Sequence, residues 1–545
     1  MSTKKIITLM MVLVISLSLV LSACGGGGTQ KSSKVATLIF TQEPDTLNWL
    51  YSNMYFSQIL AQVYNVWTWE YDDQNQPYPV LITELPSVEN GGISADSKTI
   101  TLHLRDDIVW SDGKPITSAD YMFTYEMYIN PVNTVSTTYP YDQLAGVETP
   151  DAKTVVMTFN EPFAPWLGFW KSLLPEHILR PVFEKEGTLD NAAWNKAPTV
   201  SAGPFVFKEW QSGSFLRFVR NDKYWGDKPL LDEIFVRIVP DDASQVAALK
   251  TGDGDLGIFI SYPDIPGLEE AGLTIVSVKS GYSEGMFMSL SDKTNPALQD
   301  VSVRQAIAYA LDREKVSKDL LLGKTRPGAT LWDNSPYVDP TLTPYPYDPA
   351  KANELLDAAG WIDSNGDGTR DKDGVELVLR YGTTTKEVRQ SFQAIAQQEL
   401  AQVGIGIELF NYDSDIFFAS YGDNGPTYNG DLDIFEWSDV PTSFPDPDIA
   451  YWLCSEIPSD ENPQGLNAQY ICDEELDGLF QLQTTQVDMN ARIATFHQIS
   501  KIMYDKVYWL SLWLDPDIWA VSSRLVNVKL SGSTPFYNVT EWDLK

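Results

Sequence analysis

The sequence predicts a multi-lobed body of the α/β or α+β class. Its 545 residues correspond to about two to four domains of ordinary size, each able to bury its own core. Short stretches in which polar and apolar residues alternate, as in strands, are mixed with stretches whose apolar residues have helical spacing. The 33 Pro and 35 Gly residues separate these stretches. Strands and helices that alternate in short runs indicate sheets with helices packed against them.

Periodicity places the individual elements. Alternating polar and apolar residues predict strands at TITLHL (99–104), TVVMTF (154–159), SFLRFVR (214–220) and EIFVRIV (233–239). Helical spacing of apolar residues predicts helices over residues 118–129, 302–322 and 348–360. Gly323 follows the second of these helices, at the position where glycine often ends a helix.

Composition narrows the classes of function. The chain has 39 Lys and Arg against 74 Asp and Glu, a net charge of −35, which excludes the usual nucleic-acid-binding protein with its basic surface. Its three His residues argue against a His-rich metal site and against most catalysis by imidazole. Aromatic residues make up 12%, so we expect exposed rings that line a site for a peptide, a sugar or a ring compound.

An export signal is predicted at the amino terminus. Residues 1–23 run from two lysines through an apolar stretch to small residues, the order of a secretory signal; a permanent transmembrane helix would need a longer apolar run. Leu21-Ser22-Ala23-Cys24 is similar to the lipobox of bacterial lipoproteins. Cys24 is therefore predicted to carry a diacylglycerol, the alternative being an incidental cysteine after an ordinary signal peptide. Residues 24–34 would form a Gly- and Ser-rich tether.

Export changes how the other two cysteines are interpreted. With Cys24 lipidated, Cys454 and Cys472 form an even pair in an oxidising compartment. We predict a disulfide between them that closes a Pro- and Asn-rich loop, while two buried, unpaired thiols are the alternative. Loop entropy gives such a ring a stabilisation of roughly 3 kcal/mol.

Ordered blocks along nearly the whole chain carry one resemblance. They are LHLRDDIVWSDGKPITSADYMFTYE (102–126), LPEHIL (174–179), SAGPFVFKEW (201–210), RNDKYWGDKPLLDEIFVRIVPDDASQVAALKTGDGDLG (220–257), VRQAIAYALDREKV (303–316), YPYDPAKANELLDAAGW (345–361), FPDP (444–447) and NVTEWDL (538–544). Together they resemble the extracytoplasmic solute-binding proteins of oligopeptide and dipeptide ABC transporters, called family 5. The turns within these blocks are interpreted as scaffold rather than as ligand contacts.

The resemblance implies a two-lobed α/β fold like that of periplasmic binding proteins, with the ligand cleft between the lobes. One lobe would hold residues 35–275 plus 510–545, with an inserted subdomain at about 76–196, and the other lobe residues 276–509. Crossing strands are expected near residues 277–290 and 510–521. Closure of such a cleft is a hinge motion that ligand stabilises.

The resemblance also points to an acidic ligand contact. Family members place an Asp just before a Pro-Asp-Pro turn, and Asp439, which follows Trp437, is the matching residue here. We predict that Asp439 binds the ammonium group of a peptide, because burying that charge without a counter-charge is costly. Val440 and the inserted PTSF depart from the family pattern, so Asp446 is the second choice. A carboxylate that only caps a turn is the alternative.

Other cleft residues are predicted by position. Glu43 to Trp49, including Asn48, resembles the family segment that runs along the cleft and offers backbone groups to the ligand. The aromatic residues predicted at the cleft are Trp332, Trp437, Trp513 and Tyr537. Each of these rings has a place in the hydrophobic core as its alternative.

Two motifs have competing interpretations. Residues 281–285 fit the G-x-S-x-G pattern of a hydrolase, but the residues after Ser283 alternate like a strand, so we interpret the segment as a crossing strand. The loop DSNGDGTRD places its polar residues at calcium-loop spacing, in Asp363, Asn365, Asp367 and Asp371. Gly374 stands where the bidentate carboxylate belongs, so a metal-free hairpin is the alternative to a structural Ca²⁺ site.

The function implied by the resemblance is transport rather than catalysis. The protein is expected to capture oligopeptides or dipeptides and deliver them to an ABC permease, with no enzymatic activity, nucleic-acid partner or required cofactor. We expect a monomer outside the cytoplasm, held by its lipid anchor on the periplasmic side or the outer face of the cell membrane. The same fold binding oligosaccharides through its tryptophans is the main alternative; nickel or haem ligands fit less well with three His residues.

Overall fold

Two long strands join two groups of shorter strands into one ten-stranded sheet. The computed structural model describes residues 33–52, 54–73, 76–439 and 449–545. Its strands are β1 (Val35–Phe40), β2 (Trp69–Tyr71), β3 (Pro77–Pro79), β4 (Thr99–His103), β5 (Leu144–Asp151), β6 (Thr154–Phe159), β7 (Phe205–Gln211), β8 (Phe215–Arg220), β9 (Glu233–Ile238), β10 (Leu256–Gly257), β11 (Thr274–Met288), β12 (Asp371–Lys372), β13 (Val375–Glu376), β14 (Val378–Thr384), β15 (Gly406–Tyr412), β16 (Ile434–Asp439), β17 (Trp509–Val521), β18 (Leu525–Val526) and β19 (Asp543–Leu544). The order in the large sheet is β15-β14-β16-β11-β17-β10-β1-β9-β8-β7.

Helices cover the faces of this sheet. They are α1 (Tyr55–Tyr64), α2 (Ser118–Ile129), α3 (Glu176–Glu186), α4 (Asp242–Thr251), α5 (Ile265–Glu270), α6 (Val301–Ala310), α7 (Arg313–Asp319), α8 (Pro349–Ala358), α9 (Glu387–Ala401), α10 (Ser414–Phe417), α11 (Glu474–Thr484) and α12 (Met489–Lys506). The mixture of parallel and antiparallel pairs agrees with the α/β class that the sequence predicts.

The first strand group consists of β10, β1, β9, β8 and β7. β1 pairs in parallel with β9 and β10, and β9, β8 and β7 follow as antiparallel neighbours. Alternate residues point to one face, where Leu38, Leu216, Phe218 and Val236 are fully buried in a core that includes α1. Period-two alternation therefore fixes the register of these strands, because a slip of one residue would expose that core.

The second strand group consists of β16, β14 and β15. All three are parallel neighbours around β14, whose Leu379 and Tyr381 are fully buried. α9 covers this group and buries Phe392, Ala396 and Leu400 at helical spacing. The group therefore has its own hydrophobic core, separate from that of the first group.

A smaller sheet of β4, β6 and β5 lies within residues 76–196, with α2 and α3 beside it. Trp110, Tyr121 and Trp170 are fully buried in its core. The bounds predicted for this subdomain, 76–196, and for the two lobes stay predictions, since the residues from Val35 to Lys545 form one compact unit.

All four predicted strands are confirmed, as β4, β6, β8 and β9. The predicted helix over residues 302–322 is wrong in its continuity, because α6 ends at Ala310 and α7 begins at Arg313. Between them Leu311 is extended, and the Asp312 carboxylate accepts a hydrogen bond of 3.0 Å from the Lys315 backbone N–H. A capping aspartate at this position starts a new helix and thereby interrupts the apolar pattern.

Candidate functional site

β11 and β17 connect the two strand groups and pair with each other along nearly their whole length. They lie where the resemblance places the crossing segments, and Thr274 pairs with Val521 at one end and Phe287 with Trp509 at the other. The register shifts after Lys279, opposite Pro516. Gly281 has φ +85°, a left-handed conformation that suits glycine, and Pro516 contributes no backbone N–H. The pairing is interrupted here and again between Glu284 and Gly285. We call the interruption around Gly281 and Pro516 the hinge, and motion at this point stays a prediction.

Two carboxylates flank Pro516 and contact opposite sides of this hinge. The Tyr55 hydroxyl on α1 donates a hydrogen bond of 3.2 Å to Asp517. The Ser438 hydroxyl on β16 donates one of 2.9 Å to Asp515. Burial raises the pKa of Asp517 to about 7, and the Asp515 carboxylate contributes to the rise. Two carboxyl groups therefore lie on either side of Pro516, and burial disfavours the charged form of Asp517.

Asp439 lies next to this pair. It ends β16, pairs with Ser283 of β11 and is 7% exposed. Tyr282, the residue before Ser283, lies within electrostatic reach of three carboxylates. Burial raises the pKa of its phenol, and Asp517, Asp439 and Asp515 add to the rise. The structure thus brings the predicted ammonium contact together with two carboxylates that the sequence analysis did not select.

A second polar cluster lies deeper in the crossing. Arg389 on α9 forms hydrogen bonds of 2.7 and 3.1 Å with the two carboxyl oxygens of Glu284, which is fully buried. Glu436 is also fully buried and accepts a hydrogen bond from the Tyr381 hydroxyl. Burial and the charge of Glu284 raise the pKa of Glu436 well above its ordinary value. The guanidinium is therefore hydrogen-bonded to Glu284, while burial disfavours the charged form of Glu436.

The sequence contained a signal for the residues that were missed. Asp515 and Asp517 interrupt the apolar strand pattern WLSLWLDPDIWAV, and Glu284 and Glu436 interrupt similar runs in β11 and β16. Charged residues are rarely buried unless they are paired or functional. Several carboxylates inside strands that are otherwise apolar therefore mark this region.

Glu43 contacts β7 and the turn after it, whereas Asn48 contacts Asn195 and Leu50, outside the first strand group. Glu43 accepts hydrogen bonds of 2.6 Å from the Trp210 indole N–H and 2.9 Å from the Gly213 backbone N–H. Asn48 is 1% exposed, donates a hydrogen bond of 2.7 Å to Asn195 and accepts one of 3.1 Å from the Leu50 backbone. These contacts position the segment; a role in ligand binding stays a prediction for both residues.

The predicted aromatic contacts lie mostly in packed cores. Trp437 is 4% exposed and its ring lies 4.0 Å from that of Phe287, measured between centroids. Trp332 and Trp513 are each 1% exposed within apolar clusters. Tyr537 is half-buried, and burial raises its pKa, with Asp73 contributing. Ligand contact by these four rings stays a prediction. Cys24 and Asp446 lie outside the described residues.

The predicted disulfide is confirmed, since Cys454 and Cys472 are bonded across a sequence separation of 18. Ser283, the centre of the G-x-S-x-G pattern, lies inside β11, where its hydroxyl is 3.1 Å from that of Ser511. The chain continues as a strand beyond it, so this position does not have the strand–turn–helix geometry of a hydrolase elbow. His497 contacts the Val338 carbonyl instead.

The calcium-like loop is organised by its own hydrogen bonds. The Asp363 carboxylate accepts backbone N–H groups at 2.7 Å from Gly366 and 3.0 Å from Gly368. Asp371 accepts a hydrogen bond from Ser364, and Asn365 donates one to Asp367. In the described part of the chain no group of three or more His, Cys, Asp or Glu residues is arranged to hold a metal ion. A helix long and apolar enough to cross a membrane is also not found among the residues described.

Comparison with known proteins agrees with this architecture. Residues 76–459 match the family described as "Bacterial extracellular solute-binding proteins, family 5 Middle". The oligopeptide-binding protein AppA of Bacillus subtilis (strain 168) is 26% identical over 571 aligned positions, covering 99% of each chain. Its structure in complex with a nonapeptide has a TM-score of 0.67 at 23% identity and covers 94% of this chain.

Two further solved structures share the fold. The ABC transporter substrate-binding protein CtaP of Listeria monocytogenes has a TM-score of 0.79 at 22% identity, covering 94% of this chain and all of its own. NikA of Brucella suis, solved with Fe(III)-EDTA, has a TM-score of 0.75 at 22% identity with the same coverage. These matches confirm the two-lobed α/β fold. The chain belongs to the bacterial extracellular solute-binding proteins of family 5, and it binds a solute outside the cytoplasm.

Proposed function

We propose that the protein captures peptides for an ABC importer by closing its two lobes around them. The observation that carries the proposal is the position of Asp439, whose carboxylate ends β16 beside the hinge of the crossing strands. The family match and the oligopeptide-binding name of the Bacillus relative support the same function.

A peptide brings an ammonium group that needs a counter-charge. Transferring that group from water into a closed cleft without a partner costs several kcal/mol. Asp439 supplies a carboxylate with little exposure, so its charge is less screened than on an open surface. The ammonium contact therefore contributes affinity mainly in the closed state, which couples binding to closure.

Sugar binding is less well supported. Stacking on a sugar ring needs an open aromatic face, whereas Trp332, Trp437 and Trp513 are all less than 5% exposed. Trp513 packs in the core of the second strand group, and Trp332 and Trp437 pack in a separate apolar cluster. We therefore propose no oligosaccharide function.

Membrane attachment and partners complete the proposal. The lipobox-like segment before Cys24 supports a diacylglycerol anchor, and residues 24–34 would keep the body away from the bilayer. The partner is the permease of the same importer, and the protein acts as a monomer.

Thermal unfolding of the full chain in detergent tests the ligand class. The ligands are Ala-Ala-Ala, its N-acetylated form and an oligosaccharide pool. The test variant is Asp439→Asn. The control variant is Asp106→Asn, which changes an exposed carboxylate outside the crossing. Ligand at 100 times its dissociation constant adds about 2.7 kcal/mol of stability. We expect this gain only with the free tripeptide and only when Asp439 is intact. Stabilisation by the sugars alone would overturn the proposal.

A further inference from the structure

An exposed aromatic ring lies at the hinge, with carboxylates near it. Tyr282 is 39% exposed and lies within electrostatic reach of Asp439, Asp515 and Asp517. Phe259 is 40% exposed, and its ring centroid lies 5.2 Å from that of Tyr55. Exposed aromatic rings beside carboxylates attract cations, because ring and carboxylate both present negative potential. The chemistry of the crossing therefore favours a positively charged group.

Protein cations do not neutralise the two hinge carboxylates. Asp517 accepts a hydrogen bond from Tyr55, and Asp515 accepts one from Ser438. Both donors are neutral hydroxyl groups. Over the ranges that the structure describes, neither aspartate forms an ion pair with Lys, Arg or His. Arg389 lies within electrostatic reach of Asp515, but its guanidinium is bound to Glu284. The carboxylates of Asp515 and Asp517 are therefore positioned by neutral donors and have no positively charged partner among the described residues.

Two buried oxygen atoms near the crossing have no hydrogen-bond partner among the residues that the structure describes. Glu436 is 0% exposed, and its Oε1 atom is unpaired while Tyr381 occupies the other oxygen. The Tyr262 hydroxyl oxygen is also buried and unpaired, within electrostatic reach of Asp515 and Glu284. Buried polar atoms without partners are costly. An additional hydrogen-bond donor would satisfy these two oxygen atoms.

We propose that the cleft selects peptides with a basic residue near the amino terminus, and that Asp515 and Asp517 bind the ammonium or guanidinium group of that side chain. The inference rests on the proposed function, since it assigns a second charged contact beside the ammonium contact at Asp439. Asp517 is linked to α1 and Asp515 to β16, so one cationic group between them contacts both sides of the hinge. A basic side chain therefore favours the closed form as well as satisfying the charge.

Calorimetric titration of the full chain with matched tripeptides tests this inference. Lys-Ala-Ala is compared with norleucine-Ala-Ala, which keeps the aliphatic side chain and lacks only its ammonium group. We expect the lysine peptide to bind at least about tenfold more tightly at low salt, and the ratio to fall as salt is raised. In Asp515→Asn and Asp517→Asn the ratio should approach one, while binding of the norleucine peptide changes little.

Controls separate this inference from the proposed function. Asp106→Asn should keep the full lysine preference, and thermal unfolding of each variant verifies that it is folded. Equal affinities of the wild-type protein for the two tripeptides would overturn the inference and leave peptide binding intact. A lysine preference that persists in both hinge variants would overturn the assignment to these residues. If neither tripeptide binds, the proposed function fails together with the inference.

Discussion

The Tyr55 hydroxyl lies 3.2 Å from Oδ2 of Asp517, joining α1 to the return strand β17 across 462 residues of sequence. On the other side of Pro516, the Ser438 hydroxyl lies 2.9 Å from Oδ2 of Asp515. The two aspartates are therefore fixed to different strand groups although one residue separates them in the chain. Closure of the lobes, which we propose, would therefore move the two carboxylates relative to each other.

Binding of a basic peptide should depend on pH through Asp517. Burial, with the Asp515 charge, raises the pKa of Asp517 to about 7, so the ionised fraction rises from about one tenth at pH 6 to about nine tenths at pH 8. A cationic side chain binds the ionised form, so affinity for Lys-Ala-Ala relative to that for norleucine-Ala-Ala should increase over this interval. The groups facing Asp517 are Asp515, Tyr55 and Tyr282, and the two phenols stay neutral throughout.

Calorimetry at pH 6, 7 and 8 measures this dependence. Asp517→Asn serves as the test variant and norleucine-Ala-Ala as the ligand without the side-chain charge. The α-ammonium group that both ligands share also titrates at about pH 8, so the readout is the ratio of the two affinities at each pH. In Asp517→Asn this ratio should not change between pH 6 and 8. The same increase in Asp517→Asn would show that another group titrates.

Glu70 is expected to reduce stability at neutral and alkaline pH. It is 7% exposed, and burial raises its pKa to about 7 despite a 3.1 Å hydrogen bond from the Tyr78 hydroxyl. A carboxyl group with a raised folded-state pKa costs stability as pH rises from its unfolded pKa, near 4.5, towards 7. Glu70→Gln should therefore stabilise the protein by roughly 1–3 kcal/mol at pH 8.

Urea unfolding at pH 4 and pH 8 measures the effect of Glu70→Gln. At pH 4 the Glu70 carboxyl group of the wild-type protein is largely protonated in both the folded and the unfolded state, so the variant should gain little there. A gain of equal size at both pH values would assign the effect to packing rather than to ionisation.

Local patterns predicted the elements better than they predicted the site. The strands around residues 99–104, 154–159 and 233–239 follow from alternation, because each has one face on a core. The segment predicted as one helix over 302–322 contains two helices, because Asp312 caps the amino terminus of the second. Periodicity records which residues are apolar, and it is insensitive to a single capping side chain.

The site depended on long-range register instead. Asp439 was selected by resemblance, but Asp515 and Asp517 join it only because β11 lies between β16 and β17. Trp332 and Trp513 were predicted at the cleft, but they are buried in apolar clusters. The sequence pattern around an aromatic residue is the same in a core and in a cleft, so it does not distinguish the two. Pairings between distant strands decide which side chains meet, and no local pattern contains them.

Removing Arg389 should destabilise the protein strongly. Its guanidinium pairs with the fully buried Glu284 at 2.7 Å, so Arg389→Met leaves a buried charge without its partner, at a cost of about 3–5 kcal/mol. The double variant Arg389→Met with Glu284→Gln removes both charges and should recover part of the loss. Urea unfolding of the single and double variants measures both effects. A double variant less stable than Arg389→Met would contradict the charge argument.

The disulfide should stabilise the loop that it closes by restricting the unfolded chain. Cys454 and Cys472 are separated by 18 positions, and the loop-entropy model gives such a ring about 3 kcal/mol. Replacing both residues with Ser should lower the free energy of unfolding by that amount under oxidising conditions. Adding a reductant should lower the stability of the native protein to that of the double variant and leave the variant unchanged. Equal stability of native protein and variant in oxidising buffer would show that the unfolded loop is already restricted without the bond.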